Sequence, residues 1–400
     1  MPIELSPKVY WVGAIDWTIR DFHGYLTEDG STYNAYLIVD DHITLIDTVK
    51  KEFVPEMLAR VAEIVDPAKI DYIVSNHVEM DHSGGLPEVI DRVKPEKVFC
   101  SPMGKAGLLR HFKEDWPFVE VKTGSELSTG RYNLAFLETP MLHWPDSMMT
   151  YLKEEQILFS SDGFGAHLAS SEHFDDQLPA FPLSYARQLK KYYANILMPF
   201  GALITQLFAK IAQLGLTFKI IAPDHGLIYR RNIDWVLAAY QKWAAGIVEP
   251  KALVIYDTMW HSTEMLAHEL LQGLTDAGVE AQMHHLRRTH PSDIVTEVLE
   301  AGLLLFGSPT LNNQMFPTMG EFLTYLKGLA PKNKAAAAFG SFGWSGQAVG
   351  LITKELEAMK LKVVHEGFKV KYIPDADELA AARALGEKLA RENLKECSLV

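Results

Sequence analysis

Short apolar runs, each ending in a polar or glycine-bearing turn, recur along the whole chain. Ile70–Val74, Leu134–Leu137, Ile157–Phe159 and Phe218–Ile221 mark the first half, and Ala252–Tyr256, Leu303–Phe306 and Ala335–Phe339 the second. Apolar-rich runs of this length, bounded by turn residues, predict buried strands. Helix-period stretches alternate with them: Trp235 to Ala245, Ser262 through Leu271, and an Ala-, Glu-, Leu- and Arg-rich tail from Ala376 to Leu394. The tail is expected to pack on a sheet as a final helix, its charges forming the solvated face. Strand and helix in alternation predict an α/β protein.

Length then divides the picture in two. A chain of 400 residues predicts at least two domains, and an apolar fraction of 48% is ample for two cores. The expected boundary is Ile247-Val248-Glu249-Pro250-Lys251, between a helical stretch and the strand expected to start at Ala252, giving domains 1–250 and 251–400. There is no internal repeat, low-complexity segment or membrane-binding amphipathic stretch. The 14 methionines are scattered and read as core filler.

The polar residues that follow the strands carry the chemistry. Asn76-His77-Val78-Glu79-Met80-Asp81-His82-Ser83-Gly84-Gly85 directly follows the strand Ile70–Val74 and offers His77, Glu79, Asp81 and His82 as metal ligands; Ser83-Gly84-Gly85 reads as a turn into the next helix. A short loop at the carboxyl end of a strand holds ligands rigidly enough to converge. Mixed carboxylate and imidazole donors suit iron or manganese, whereas imidazole-rich sites suit zinc. Taken alone, the cluster could be a solvated polar loop. His143 follows the strand Leu134–Leu137, Asp162 the strand Ile157–Phe159, and His225 the strand Phe218–Ile221. Singly, each histidine would be an ordinary hydrogen-bonded residue and Asp162-Gly163 an ordinary turn. Together with the first cluster they make a set for two metals, and a pair about 3.5–4 Å apart needs a bridging carboxylate, for which Asp162 is the natural candidate.

The second half presents three loops of another kind. Thr258, Met259, Trp260, His261, Ser262 and Thr263 run from a strand into a helix, and hydroxyls and N–H groups there can cradle a phosphate. An isolated Ser-Thr-Glu would equally be a helix cap. Ser308, Pro309, Thr310, Leu311, Asn312 and Asn313 follow the next strand, and Ser341, Phe342, Gly343, Trp344, Ser345 and Gly346 the one after. Glycines there let the backbone approach a flat ring, and Trp344 could pack near it or sit in a core. Three strand-end loops at one crevice suit a mononucleotide. The spacing Gly340-x-x-Gly343-x-x-Gly346 is not the dinucleotide fingerprint, so no NAD site is expected.

The first cluster resembles the His-x-His-x-Asp-His signature of the metallo-β-lactamase fold, with Glu79 where the second His would stand. With His143, Asp162 and His225 it covers every ligand position of the flavodiiron proteins, or A-type flavoproteins, which residues 1–250 resemble; residues 251–400 resemble a flavodoxin, with His261 where a glycine is usual. Met141-Leu142-His143-Trp144-Pro145-Asp146 points to the two-domain rubredoxin:oxygen oxidoreductase subgroup. The resemblance implies an αββα sandwich joined to a doubly wound parallel sheet. It implies one iron on His77, Glu79 and His143, another on Asp81 and His225, Asp162 between them, and His82 as a ligand held by only some members. FMN, a head-to-tail homodimer pairing one subunit's flavin with the other's irons, and reduction of O₂ to water or NO to N₂O are likewise implied. Tyr25 and Tyr193 are candidate hydrogen-bond partners near the oxidant. No Cys-x-x-Cys pair is present to hold a rubredoxin iron, so a separate rubredoxin-type electron donor is expected.

Charge and termini narrow the alternatives. A net charge of −13 argues against nucleic acid as a partner. No run approaches eighteen uninterrupted apolar residues, and Met1-Pro2-Ile3-Glu4 lacks a signal-like basic and apolar start, so a soluble, cytoplasmic protein without a membrane partner is expected. Cys100 and Cys397 are too far apart in sequence to suggest a disulfide, and two thiols exclude a thiolate cluster. Two rival functions stand beside the reductase: a β-lactamase-fold zinc hydrolase with an appended flavodoxin, against which Glu79 speaks, and a non-enzymatic flavodoxin-type carrier, against which the complete ligand set speaks.

Overall fold

In the computed structural model, which describes residues 3–179, 181–183 and 185–394, every apolar run named above forms or overlaps a strand. The chain divides into two compact units: Met1–His23, Thr27–Tyr193 and Ala202–Gln241 make the first, and Gly24–Leu26, Ala194–Gly201 and Lys242–Val400 the second.

The first unit is built on two sheets. One has seven strands in the order Ile3–Ser6, Val9–Trp11, Tyr36–Ile38, Ile43–Ile46, Ile70–Val74, Lys97–Cys100 and Phe118–Glu120. The other has five: Glu126–Ser128, Asn133–Glu138, Met148–Leu152, Ile157–Ser161 and Ile220–Pro223. Strand side chains alternate between faces, so Tyr36, Val74 and Phe99 of the first sheet share one core with Phe136, Phe159 and Ile220 of the second. The opposite face of the seven-stranded sheet, with Leu37, Leu45, Ile73 and Val98, is covered by the helices Val54–Ala62, Leu86–Val93 and Pro102–Phe112. Each such aliphatic side chain contributes about 1.5–3 kcal/mol on burial, so both faces of the sheet stabilise the layers.

Three local differences from the sequence reading have physical causes. The second half of the ligand run is a short helix, Met80–Ser83, because the Ser83 N–H donates to Glu79 O at 2.8 Å and closes a helical turn where a plain loop was expected. The strand expected at Phe218 begins at Ile220 and runs through Pro223. The first strand of the second unit begins at Glu249, inside the expected linker, and Pro250 falls at a register irregularity between Glu249 and Ala252, where a missing N–H breaks no regular ladder.

The second unit holds a sheet ordered Glu280–His285, Glu249–Tyr256, Ala301–Gly307, Ala335–Phe342, with Lys362–Val363 and Phe368–Lys371 both pairing the last; every pairing is parallel. The order reverses between the strands at 249–256 and 301–307, which opens a crevice at their carboxyl ends. The tail forms the helix Ala376–Asn393, started by a capping box in which Asp375 and Glu378 serve each other's backbone N–H groups. As expected it lies on the sheet, its buried Ala382, Leu389 and Ala390 sharing one core with Leu303, Leu305 and Val370, and it also crosses the helix Ser262–Asp276 closely. A Cβ on Gly273 would meet Arg383 O at 2.0 Å, and one on Gly386 would meet Leu270 O at 2.3 Å, so the two glycines set the closeness of that crossing.

One helical run, Ala186–Gln213, is long and apolar enough to cross a membrane by length and composition, with 33% of its most apolar window buried. It is broken at Tyr193–Leu197 by a π turn and at Met198–Phe200 by a 3₁₀ turn. Among the described residues Cys100 is a buried free thiol, while Cys397 lies outside them.

Candidate metal centre and flavin cleft

Carboxyl ends of strands deliver the ionisable side chains to one pocket of the first unit. His77, Glu79, His143 and Asp162 form one group of potential ligand atoms, and Asp81, His82 and His225 another, each group lying within 4.8 Å. In the first, His143 Nε2 is 3.1 Å from Glu79 Oε2 and 3.2 Å from Asp162 Oδ2, and His77 Nε2 is 3.4 Å from both oxygens. In the second, His225 Nε2 is 3.0 Å from Asp81 Oδ2 and 3.5 Å from Asp162 Oδ1; His82 Nε2 is 3.3 Å from the same two oxygens. Asp162 thus turns one oxygen to each group. All seven residues expected to hold metal come together, His82 included.

These spacings suit a metal better than they suit direct hydrogen bonds. Ligand atoms about 2.1 Å from one ion stand roughly 3.0–3.4 Å from each other in octahedral or tetrahedral geometry. His77 Nε2, His82 Nε2, Asp162 Oδ2 and both Asp81 carboxylate oxygens are buried without a hydrogen-bond partner. Buried polar atoms left this way cost stability unless something else satisfies them, and a cation at each group would. The mixed carboxylate and imidazole donors fit iron. The residues present therefore fit a two-metal centre.

Charge runs the same way. Burial opposes the protonation of His77, yet the hydrogen bond to Asp146 and the neighbouring Glu79 carboxylate hold it up to about 10. Burial likewise opposes His143, which Asp162 and Glu79 push up to about 9. Asp162 is held well below the usual carboxylate range: burial raises it, and His82 and His143 more than offset that. The carboxylates demand positive charge, which the imidazolium protons supply when no cation does; metal binding would displace those protons.

A second layer orients the ligands. Asp146 Oδ2 accepts from His77 Nδ1 at 2.9 Å and from Val78 N at 2.8 Å. His225 Nδ1 donates to Thr32 O at 2.6 Å. Each fixes a tautomer with its Nε2 lone pair toward the pocket. The Tyr192 hydroxyl donates to Asp162 Oδ1 at 2.7 Å, so Tyr192, and not the expected Tyr193, reaches the pocket's carboxylates. Tyr193 turns its ring edge to Tyr240, with centroids 5.1 Å apart, and Tyr25 belongs to the other unit. Sequence reading also missed His23, whose Nε2 lies 2.8 Å from Glu79 Oε1, and buried His167, its ring 4.8 Å from that of His225. Asp146 carried a signal, since it sits three residues after His143; His23, His167 and Tyr192 carried none.

The second unit's crevice is a cavity of about 630 Å³, a size that takes a flavin nucleotide. Met259, Trp260 and Ser262 line it from the first loop, Pro309, Thr310, Leu311, Asn312 and Asn313 from the second, and Ser341, Phe342, Gly343, Trp344 and Ser345 from the third. Tyr372 and Ile373, which were not expected, complete the wall. The remaining candidates stand behind it. Thr258 and His261 face an adjoining recess of about 240 Å³ with Arg287 and Arg288. Thr263 and Ser341 share a hydroxyl hydrogen bond of 2.8 Å, Ser308 Oγ accepts from Phe316 N, and Gly346 caps the helix Gln347–Ala358.

Local conformation explains these loops. Asn312 and Asn313 have φ of 51° and 60°, the paired left-handed residues of a tight hairpin between Thr310–Leu311 and Gln314–Met315. His261 has φ of 68° just before the helix Ser262–Asp276, a conformation glycine adopts freely. Asp257 anchors the first loop by accepting from Thr258 N at 2.6 Å and Arg287 Nε at 2.9 Å. Thr258 Oγ1, in contrast, is buried with no partner. That orphaned hydroxyl, the helix start and the exposed indoles of Trp260 and Trp344 fit a phosphorylated, planar ligand such as FMN.

Comparison with known proteins agrees with both halves. Residues 32–226 match the family model described as ODP family beta lactamase, and residues 254–386 match that for flavodoxin. The chain is 43% identical over 393 residues to a nitric oxide reductase of Moorella thermoacetica, covering 97% of this chain and 98% of that one. Among solved structures, rubredoxin oxygen:oxidoreductase from the anaerobe Desulfovibrio gigas superposes with a TM-score of 0.97 at 39% identity, covering 100% of both chains. The flavodiiron protein of Giardia intestinalis superposes with a TM-score of 0.96 at 34% identity, covering 100% of this chain and 98% of that one.

Proposed function

This chain belongs to the flavodiiron proteins, and from that premise we propose that it reduces O₂ to water, NO to N₂O, or both, drawing electrons from an external rubredoxin-type donor. The observation that carries the reading is Asp162 turning one oxygen to each of two ligand groups, in a chain whose other half holds a flavin cleft. When bound, two irons supply open positions for the gas and FMN supplies single electrons to refill them.

The chain's own residues do the rest. His77, Glu79 and His143 would hold one iron, Asp81, His82 and His225 the other, and Asp162 both. Asp146 and Thr32 keep the His77 and His225 rings turned inward, and the Tyr192 hydroxyl steadies Asp162 by its hydrogen bond. Burial of the ligands keeps bulk water out. Thr258, Ser262 and Thr263 would take the FMN phosphate at the helix start, Trp260 and Trp344 would cover the ring, and the loops at 308–313 and 341–346 would hydrogen-bond its polar edge. We assign the metal chemistry to residues 1–250 and the flavin to 251–400. A head-to-tail homodimer in the cytoplasm, free of membrane and nucleic acid, completes the proposal; the net charge of −13 supports the last point.

The zinc hydrolase reading is disfavoured by the carboxylate-rich donor set, and the bare carrier by the complete ligand set. Anaerobic stopped-flow mixing of reduced, metal-quantified protein with O₂ and, separately, with NO tests the choice. About two irons and one FMN per chain with fast flavin reoxidation are expected; zinc in the pocket with slow, gas-independent reoxidation would overturn it.

A further inference from the structure

Two histidines of the metal pocket have a buried carboxylate behind the ring nitrogen that faces away from it, and the two pairs differ. Asp146 Oδ2 is hydrogen-bonded to His77 Nδ1 at 2.9 Å. Asp224 Oδ2 stands 3.6 Å from His82 Nδ1, beyond hydrogen-bond length. Asp224 is fully buried, and neither of its carboxylate oxygens has a hydrogen-bond partner; nor has His82 Nδ1. A buried acid with a purely structural role looks different here. Asp175 accepts from Asn232 N at 2.6 Å and from Arg230 N at 3.0 Å, satisfying itself on the backbone.

The backbone holds Asp224 in place: its N–H donates to Ser161 O at 2.8 Å, and its carbonyl accepts from Asn34 N at 2.7 Å. It is also the neighbour of His225, so one strand-end loop addresses the second ligand group from two sides. His225 points its Nε2 into that group, while Asp224 lies behind His82, whose Nε2 is 3.3 Å from Asp81 Oδ2 and Asp162 Oδ1.

We propose that Asp224 is the positioning residue for His82: it accepts the Nδ1 proton, leaves the Nε2 lone pair facing Asp81 and Asp162, and so makes His82 a ligand of the second metal ion. The role parallels that of Asp146 behind His77. A ring nitrogen carrying a proton cannot bind a cation, so the group behind the ring decides whether the ring binds at all. The inference rests on the reading of the pocket as a two-metal centre.

The test compares Asp224→Leu, which removes the acceptor, with Asp224→Asn, which keeps the size and one acceptor oxygen. Each is reconstituted with ferrous iron, and iron and FMN per chain are measured together with the paramagnetic spectrum of the half-reduced centre. Asp224→Leu should fall from about two irons per chain to about one with FMN unchanged, a second-layer loss of roughly 10–100-fold in affinity, and Asp224→Asn should stay near two. Combining Asp224→Leu with His82→Asn should remove no further iron. Should Asp224→Leu fail to fold, Asp224→Ala carries the same expectation. Two irons and an unaltered spectrum in the acceptor-free variant would overturn the inference while leaving the pocket's reading intact. A wild-type protein that takes up no iron would overturn both.

Discussion

Six of the seven side chains that converge on the metal pocket are buried, whereas the two largest side chains on the flavin cleft, Trp260 and Trp344, are 81% and 87% exposed. The contrast follows from what each region has to hold. A cation needs charged donors, and charged donors tolerate burial only when their geometry is fixed in advance and their charge is balanced. The pocket accordingly has a second layer: Asp146 behind His77, Thr32 behind His225, Tyr192 on Asp162. A flavin presents a flat apolar ring and a phosphate, so the cleft needs backbone groups, a helix start and apolar walls. It can leave the indoles in water until a ligand covers them. Damage to the pocket should therefore spread through its network, and damage to the cleft should stay local.

The shared carboxylate is the most direct way to break this contrast. Asp162→Ala removes one oxygen from each ligand group and takes the shared counter-charge from the four imidazoles around it, His77, His82, His143 and His225. Iron should drop from about two per chain to well under one and gas-driven reoxidation by at least about 100-fold, with FMN retained. Metal analysis and stopped-flow absorbance check it; loss of FMN alongside the iron would show that the two regions are not independent. Next in size is the second layer itself. Asp146→Leu should weaken iron retention by roughly 10–100-fold through His77 alone, read as iron lost on dialysis against a chelator. No extra loss would reduce Asp146 to a structural acid.

In the cleft the effects should be smaller. Thr258→Val removes the unpartnered hydroxyl at the helix start, and a hydrogen bond to a charged phosphate is worth about 1.5–3 kcal/mol, or roughly 10–100-fold in FMN affinity. Iron content should not change. Fluorescence titration of flavin-free protein gives the affinity, and a variant that binds FMN as tightly as wild type would move the phosphate elsewhere.

Acid separates the regions in another way. Burial raises the Glu28 carboxyl, but the ion pairs with Lys191 and Arg187 outweigh it and lower the group from 4.5 to about 2. These partners lie on the helix Ala186–Tyr192, which ends in the tyrosine that steadies Asp162. A depressed folded-state pKa stabilises above the unfolded value and is lost as pH falls through the folded one. The stability gap between wild type and Glu28→Gln should thus be constant above pH 4.5 and close as pH falls toward 2. Urea midpoints across that window measure it; a gap that widens in acid would contradict the ion-pair origin.

The same contrast explains what could be read from the chain unaided. The ligand run His77 to His82 was legible because its donors sit on one strand end, and side-chain chemistry is written directly in residue type. The second layer was not: Asp146 meets His77 across 69 residues, Tyr192 meets Asp162 across 30, and His23 meets Glu79 across 56. Only packing of separate loops brings such pairs together. In the cleft, the loops at 308–313 and 341–346 were visible through their strand-turn pattern. Tyr372 and Ile373 were not, because they follow the short edge strand Phe368–Lys371, whose alternating lysines look like any solvated edge. The strand start at Glu249 was misread for a related reason: a proline normally ends a strand, and here it occupies an irregular position in the ladder.

The smallest expected effect lies at His261, where the first flavin loop departs from glycine. Its φ of 68° places a side chain in the left-handed region, which costs an L-residue about 1–2 kcal/mol, less for histidine than for most. The imidazole recovers part of that through Nδ1, 2.6 Å from Glu264 Oε2, an exposed pair worth about 0.2–0.5 kcal/mol. His261→Gly should therefore leave the flavin half unchanged or slightly more stable, since relief of strain offsets both the lost pair and the greater freedom of the unfolded chain. His261→Ala keeps the strain and loses the pair, so it should be the less stable of the two by about 1 kcal/mol. Denaturant unfolding of the flavin-free protein resolves a difference of that size. Equal midpoints for the two variants would mean that the loop relaxes out of the left-handed conformation without its ligand. The cleft would then be shaped by FMN, and the contrast with the pre-built metal pocket would be sharper still.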